Sequence, residues 1–303
     1  MQDILVKAGC YIAIIVLGYV LRRTGFFGPE TFGVLSKVVI KITLPAAIVA
    51  SCAGKPIDPS VLVISALGFG CGILYMLAGW LVSRRADRGE KAFFVLNIPG
   101  YNIGTFALPF TQEFLGPVGV QTTSIFDLGN AFICLGGAFG VARAVKEGGK
   151  PDYLRILKAP LTSVPCVTHL VMIILNLLHL NVPGPIVSFA GILGNANAFL
   201  AMLMIGVGFR LSGERSQYGT VAKVLSVRYA IATVLALAFY FLLPFDLTVR
   251  KTLMILAFAP IGSAVPVFTA ELKEDEGLSS AINSIAIVIS IVVIVTLLLV
   301  LPQ

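Results

Sequence analysis

The chain has 303 residues, of which 57% are hydrophobic and only 12% are charged. A soluble protein of this length would form about two globular domains with roughly twice that charged fraction, so the composition excludes a soluble protein and indicates a chain embedded in lipid. The formal net charge is +7, from 22 basic and 15 acidic residues. In such a chain the excess of Lys and Arg is typical of cytoplasmic loops, and we expect no nucleic acid as a partner.

Ten apolar segments, each long enough to cross a bilayer as a helix, follow one another along the chain. They span residues 4–21, 32–53, 61–82, 91–115, 118–142, 160–178, 186–209, 222–244, 249–270 and 279–301. Ten crossings of about 20 residues use roughly 200 residues, which leaves no room for a catalytic domain outside the membrane. The first segment has no basic start and no cleavage site after it, so we expect a retained helix rather than a signal peptide. The sequence therefore predicts an all-α polytopic membrane protein.

The distribution of Lys and Arg predicts the orientation of these helices, because positively charged loops remain in the cytoplasm. When residues in the first turn of a span are counted with the adjoining loop, the loops after spans 1, 3, 5, 7 and 9 contain 15 of these residues, the opposite side contains four and the spans contain three. Both termini are therefore predicted on the non-cytoplasmic side. The longest connection, residues 145–158, is predicted to be a cytoplasmic loop between two five-helix units, residues 1–144 and 159–303. Because each unit has an odd number of spans, a tandem duplication would invert the second unit.

The fourth span of each half is interrupted by glycine and proline. Two prolines in one span remove backbone donors and free carbonyls, which must find partners inside the membrane. Interrupted helices at equivalent positions in two halves are the best sequence indication of a transporter's substrate site, although an ordinary proline kink is the alternative for each. The residues in these interruptions that we predict at the site are Asn102, Gly104, Thr105, Pro109, Pro260, Gly262, Ser263 and Pro266.

Asn102 is the strongest candidate among them. Its amide can donate two hydrogen bonds to a carboxylate without bearing charge, and the N–H groups exposed at a helix break also favour anions. The alternative is that Asn102 bonds a carbonyl freed by the break. The hydroxyls of Ser263 and Thr269 are weaker candidates, because hydroxyls in membrane helices often bond their own backbone.

Span 5 contains an acidic residue, Asp127, near the predicted middle of the membrane, with Asn130 three residues later on the same helical face. An ionisable side chain at that depth is costly and indicates a function. Asp127 could be a proton carrier, a sodium ligand or the structural partner of a buried cation, Lys41 or Arg228. If the substrate is an anion, the first two roles make Asp127 a coupling group.

Two basic residues within spans are candidates for positive charge at the site. Lys41, one turn after Lys37 in span 2, could pair with Asp127, attract an anion or extend toward water. Arg228 in span 8 lies near the cytoplasmic end, where extension to the membrane surface is more common than contact with a ligand. Both remain candidates for an anion contact.

Metal and enzyme chemistry have little support in the sequence. The five cysteines lie in apolar stretches without a CxxC pair, so we expect neither a disulfide framework nor a zinc site. The two histidines, His169 and His179, belong to no catalytic motif. We therefore predict that the protein is not an enzyme and has no cofactor, apart from Na⁺ or H⁺ if one of them is the coupling ion.

The residues above, taken in order, resemble the auxin efflux carrier family, which includes plant PIN-FORMED auxin exporters and bacterial malate and malonate permeases. The similarity covers nearly the whole chain. The matching features are Leu44 with Pro45 in span 2, Asn102 seven residues before Pro109 in span 4, Leu193 with Gly194 and Ile205 with Gly206 in span 7, Arg228 in span 8, and the segment 266–270 in span 9. No single one of them is specific, and the ordered set carries the resemblance.

This resemblance implies ten helices in two inverted five-helix repeats, with broken helices 4 and 9 crossing at their prolines, and alternating access of a scaffold and a transport unit. It also implies that Asn102 holds a substrate carboxylate. Plant members have an asparagine beside the proline that opens span 6, where this chain has Ala159 and Leu161 around Pro160, and an Asp and a Lys in span 3, which this chain lacks. Auxin itself is therefore not implied as the substrate. The short loop between the two halves resembles bacterial permeases, which implies the bacterial inner membrane.

We predict a secondary active transporter of a small organic anion, a mono- or dicarboxylate, with that carboxylate and the lipid bilayer as its partners. Participation of Lys41 would favour a dicarboxylate, because a second negative charge needs a second positive contact. The alternative is a channel or membrane sensor with a transporter-like fold. A homodimer also remains open, because the glycines at 68–72 and 136–140 could pack helices within one chain or between two.

Overall fold

The computed structural model describes residues 2–54, 60–210 and 217–301, and every regular element in these ranges is helical. The helices of the first half are α1 (Gln2–Arg23), α2 (Thr31–Val38), α3 (Leu44–Cys52), α4 (Ser60–Val82), α5 (Arg88–Asn97), α6 (Leu108–Phe132) and α7 (Ala138–Glu147). Those of the second half are α8 (Tyr153–Lys158), α9 (Val164–Leu177), α10 (Gly184–Asn195), α11 (Asn197–Gly208), α12 (Tyr218–Leu242), α13 (Leu247–Ala257), α14 (Val265–Glu271) and α15 (Glu276–Val300). Three π-helical segments, Val39–Thr43, Ile103–Ala107 and Ile133–Gly137, connect successive helices of the first half, and a 3₁₀ turn, Ala159–Thr162, precedes α9.

Seven helical segments within the described ranges are long and apolar enough to cross a membrane, and a pair of helices bent by 78° makes a potential eighth. The sequence predicts ten. The difference arises because predicted spans 4 and 9 are divided into helices too short to count alone, α5 with 10 residues, α13 with 11 and α14 with 7. The second part of span 4 is instead continuous with span 5.

That continuous segment, Ile103–Glu147, contains 45 residues. A straight helix of that length would extend about 68 Å, more than twice the roughly 30 Å of bilayer hydrocarbon. The segment turns at Gly116, which has φ 60° and ψ −153° and is followed by Pro117. Glycine adopts this left-handed backbone without steric cost, and proline cannot donate the next helical hydrogen bond. The two residues therefore separate two helical arms.

The outer surface is apolar, and many of the polar side chains are buried inside the protein. Large side chains such as Ile192, Val234 and Phe241 are exposed, whereas Asn97, Asn130 and further hydroxyl side chains are buried. This arrangement suits a protein surrounded by lipid, in which polar groups must find partners in the interior. Together with the apolar helices, it identifies an integral membrane protein.

The helices pack in two groups. One contains α1 to α3 and α9 to α11, and the other contains α4 to α7 and α12 to α15. The closest contacts lie within the groups: a β-carbon at Gly206 of α11 would collide with the Ile15 carbonyl of α1, and one at Gly129 of α6 would collide with the Ser65 carbonyl of α4. Small residues let membrane helices approach closely, so these contacts make each group internally tight.

Candidate functional site

Two non-helical breaks meet inside the second group, at the positions where the sequence predicts interruptions. The first, residues 98–102, follows α5, and the second, residues 258–264, joins α13 to α14. The backbone N–H of Asn102 donates a hydrogen bond of 2.8 Å to the carbonyl of Pro260. The two breaks are therefore in direct contact.

Arg228 of α12 forms hydrogen bonds with both breaks. Its two terminal nitrogens donate to the carbonyls of Ile98, at 2.5 Å, and Ala259, at 2.7 Å. The guanidinium carbon also lies 5.1 Å from the ring centre of Tyr75 and 5.2 Å from that of Tyr101. The side chain is only 1% exposed, so Arg228 does not extend to the membrane surface as its sequence position favours. It satisfies one freed carbonyl from each break and leaves a positive charge beside them.

A first cavity of about 160 Å³ lies where the first break meets α3, α6 and α9. The polar side chains that line it include Asn102, Thr105, Ser124, Asp127, Asn130, Ser163, His169 and Ser263. Asp127 is the charged residue among them. The cavity therefore combines the acid predicted in span 5 with the asparagine predicted in span 4.

Asn130 connects that acid to the backbone of the break. Its amide nitrogen donates to the Asp127 carboxylate at 2.8 Å and to the Tyr101 carbonyl at 3.0 Å, and its amide oxygen accepts from the Tyr101 N–H at 3.0 Å. Salt bridges in the described part of the chain do not include Asp127. The structure therefore shows neither of the structural pairs, with Lys41 or with Arg228, that the sequence left open.

Ser124 lies three residues before Asp127 and faces the same cavity. Its hydroxyl is buried and has no hydrogen-bond partner among the described residues. Buried hydroxyls are normally satisfied, so this group is available to a ligand or to water. The helical spacing from Asp127 could have identified Ser124 from the sequence.

Asn102 has the free donors that an anion contact requires. Its side-chain oxygen accepts from the Thr105 hydroxyl, while its NH₂ group donates to no residue that the structure describes. Asn102 lines both the first cavity and a second one, and Ser263 of the other break does the same. These two residues thus form a border between the cavities.

The second cavity, of about 250 Å³, lies between α1, α11, α14 and α15. The charged residues that line it in the described ranges are Arg22, Arg210 and Glu276, and Ser280, Asn283 and Ser284 of α15 add polar groups. Both arginines lie outside the predicted spans, Arg22 directly after 4–21 and Arg210 directly after 186–209, and neither is predicted at a site. No signal within α1 reveals that its carboxyl end closes a cavity with α11.

The remaining predicted residues have different positions. Gly104 and Gly262 line the first cavity, and Pro266 lines the second. The Pro109 carbonyl accepts a hydrogen bond of 3.3 Å from Tyr11. Lys41, in contrast, is exposed in a π-helical segment and lines neither cavity.

Potential metal ligands do not cluster at this site. In the ranges that the structure describes, no three His, Cys, Asp or Glu side chains are grouped to hold a metal ion. The polar groups of the first cavity, one carboxylate with amides and hydroxyls, can instead bind a small polar solute, a proton or a weakly held monovalent cation.

Comparison with known proteins gives two matches. Residues 11–150, which include the first break and Asp127, match the family model described as membrane transport protein. An uncharacterized transporter of Methanothermobacter thermautotrophicus is 24% identical over 240 residues, which cover 77% of each chain. The second match extends the similarity beyond the first half.

Proposed function

We propose that this chain, which is similar to membrane transport proteins, is a member of the auxin efflux carrier family and a secondary active carrier of a small organic anion, a mono- or dicarboxylate. The carrier works by alternating access, in which one binding site faces each side of the membrane in turn. The observation that carries this proposal is that Asn102 and Ser263, at the contact of two helix breaks, line two separate cavities. A solute held at that border is adjacent to both.

The two helix groups support a moving part and a fixed part. Both cavities lie on the boundary between the groups, since the first touches α3 and α9 of one group, and the second touches α1 and α11. The closest approaches to a neighbouring backbone, at Gly129 and Gly206, lie within the groups, whereas across the boundary Gly104 meets the flexible end of the Leu44 side chain. A movement of one group against the other therefore opens one cavity and closes the other without disturbing the close backbone contacts.

Ten crossings in two inverted repeats are part of this proposal. The first cavity is lined by predicted spans 2, 4, 5, 6 and 9, and the second by spans 4, 7, 9 and 10, by Arg22 directly after span 1, and by Phe32 at the start of span 2. When each span is exchanged with its counterpart five positions along, the first set becomes spans 1, 4, 7, 9 and 10, which agrees with the second set apart from Phe32. That equivalence supports an inverted duplication, and the charge distribution supports placing both termini on the non-cytoplasmic side.

An organic anion fits the electrostatics of the border. The free NH₂ group of Asn102 supplies hydrogen-bond donors, and the buried guanidinium of Arg228 supplies positive potential without contacting the solute. In a low-dielectric interior that charge acts over a longer distance than it would in water. Asp127, in the first cavity, opposes an anion unless it is neutralised. We therefore assign it the coupling role, with H⁺ or Na⁺ as the coupling ion.

The test is uptake by the purified full-length protein in proteoliposomes, with radiolabelled acetate, butyrate, malonate and succinate and counterflow from an internal pool. We expect counterflow of at least one of these anions, and an at least tenfold loss of its uptake in Asn102→Ala. Asn195→Ala is the matched control, because Asn195 is exposed at the end of α10 and lines neither cavity.

Two results would contradict the proposal. Uptake without counterflow, at rates far above those of carriers, would favour a channel. Equal uptake by Asn102→Ala and wild type, with both folded in the membrane, would remove Asn102 from the binding site.

A further inference from the structure

In the part of the chain that the structure describes, the second cavity has a positively charged lining, whereas the first has an acidic one. Arg22 and Arg210 outnumber Glu276 among the charged residues described there. Asn102 and Ser263 close the cavity at the border with the first one. A molecule in this space meets neutral donors at one end and guanidinium groups in the surrounding wall.

We propose that this cavity is a dicarboxylate-binding position of the transport cycle, in which Asn102 binds one carboxylate and Arg22, with Arg210, binds the other. The inference rests on the proposed carrier function and specifies its substrate class. It also assigns the second positive contact to Arg22 of α1 and to Arg210, two residues after the end of α11, rather than to Lys41 or Arg228.

Arg22 is held in place for this role. One terminal nitrogen of its guanidinium donates to the Val207 carbonyl of α11 at 2.6 Å, and the side chain is half-buried. A guanidinium has five N–H donors, so this anchor leaves a planar group that can bind a carboxylate through two parallel hydrogen bonds. Its neighbour Arg23 is fully exposed to the surroundings and bonds Tyr19 instead.

A polar face of α15 forms the opposite wall. Ser280, Asn283 and Ser284 are spaced three and four residues apart and therefore lie on one side of the helix. The Ser284 hydroxyl accepts from the Arg210 backbone N–H at 3.0 Å, which fixes the start of the segment after α11. The side-chain oxygen of Asn283 is buried and has no hydrogen-bond partner in the described ranges. An unsatisfied amide oxygen facing a cavity needs a donor, which a water molecule beside the ligand can supply.

The charges select the ligand class. Among the described lining residues, two arginines and one glutamate leave one net positive charge, to which Arg228, bonded to both breaks, adds its potential. A dianion therefore gains more from this cavity than a monoanion of the same length. The volume of about 250 Å³ suits a short, flexible diacid.

The test compares succinate with butyrate, which share a four-carbon chain and differ by one carboxylate. Affinities are measured by thermal stabilisation of the full-length protein in detergent at fixed ionic strength, because a ligand that binds the folded state raises the apparent stability. We expect Arg22→Gln to weaken succinate binding about tenfold to a hundredfold and butyrate binding less than about threefold. Arg23→Gln is the matched control and leaves both affinities unchanged.

A second measurement places the ligand in this cavity without altering its charges. Ser280→Cys is alkylated with a maleimide and the modification of that residue is followed by mass spectrometry. Succinate is expected to slow the reaction several-fold, and butyrate less so. This measurement also covers the case in which Arg22→Gln fails to fold.

The outcomes separate the two proposals. If Asn102→Ala weakens both ligands while Arg22→Gln and Ser280→Cys show no effect specific to succinate, the carrier function stands and the dicarboxylate position is wrong. If wild type binds neither succinate nor butyrate, the carboxylate function fails, and the inference fails with it.

Discussion

The two cavities on either side of the helix breaks differ in charge. The first contains Asp127, and the second contains Arg22 and Arg210 with Glu276. The groups shared by both, Asn102 and Ser263, are neutral. An anion at the border is therefore attracted by one side and repelled by the other.

This difference suggests how a carrier of this kind can couple its substrate to an ion. Neutral donors at the border bind the substrate without trapping it, because they hold it less strongly than paired charges would. The acidic cavity accepts the anion only with a compensating positive charge, whereas the basic cavity needs none. Coupling is then a property of one cavity rather than of the whole site.

The largest predicted effect comes from removing Arg228, whose hydrogen bonds hold the two helix breaks together. Arg228→Ala leaves the buried carbonyls of Ile98 and Ala259 without their donor. Losing two charge-assisted hydrogen bonds in the interior should lower the free energy of unfolding by about 3–5 kcal/mol. The measurement is the thermal unfolding of the detergent-purified protein.

Arg228→Lys is the control for charge alone. A lysine keeps the positive charge but lacks the planar fork that reaches two carbonyls, so we expect an intermediate stability. Wild-type stability in Arg228→Ala would show that the two breaks do not depend on this residue.

The next prediction removes the charge that makes the first cavity acidic. Asp127→Asn keeps an oxygen that can accept from Asn130, so the protein should still fold. Accumulation driven by a proton or sodium gradient should fall at least tenfold, because the side chain can no longer change charge, whereas exchange of anion for anion should persist. Gradient-driven uptake and counterflow, measured in the same proteoliposomes, separate the two activities.

Glu147→Gln provides a matched acid outside the cavity, since Glu147 is exposed and pairs with Arg143. It should leave gradient-driven uptake unchanged. Full gradient dependence in Asp127→Asn would exclude Asp127 as the coupling group, and loss of folding would favour a structural role.

The sequence predicts the residues of the two helix breaks better than it predicts the residues that line the rest of the cavities. Prolines and glycines identify both breaks because their effect on the backbone is local, and the spacing of Asp127 and Asn130 places both on one helical face. The contact between the breaks and its fastening by Arg228 depend on residues more than a hundred positions apart. No periodicity within one helix encodes that contact.

Arg22 and Lys41 show two opposite errors of prediction from sequence. Arg22 follows an apolar segment and has the sequence context of a loop residue, but the close packing of α1 on α11 brings it into a cavity. Lys41 has the depth of a site residue, but Ile40 and Leu44 of the same span face the first cavity while Lys41 is exposed. Sequence indicates depth along a helix, whereas the direction of a side chain depends on the helices packed around it.

The smallest predicted effect comes from a change at Ser263, and it tests whether both cavities use this residue to bind the substrate. Ser263→Ala removes one neutral hydroxyl that lines both cavities and has no hydrogen-bond partner in the described part of the chain. Loss of one such contact to an anion is worth about 1 kcal/mol, so KM should rise about fivefold. Because Ser263 faces both cavities, the increase should be similar whether substrate is offered from one face of the membrane or the other.

Proteoliposomes with the protein in defined opposite orientations provide this comparison. Ser226→Ala is the control, because Ser226 is exposed on α12 and lines neither cavity. Arg22→Gln, in the same vesicles, should raise KM mainly from the face on which the second cavity opens. A change in Ser263→Ala confined to one face would place that serine in a single cavity, and the border would then consist of Asn102 without its partner on the second break.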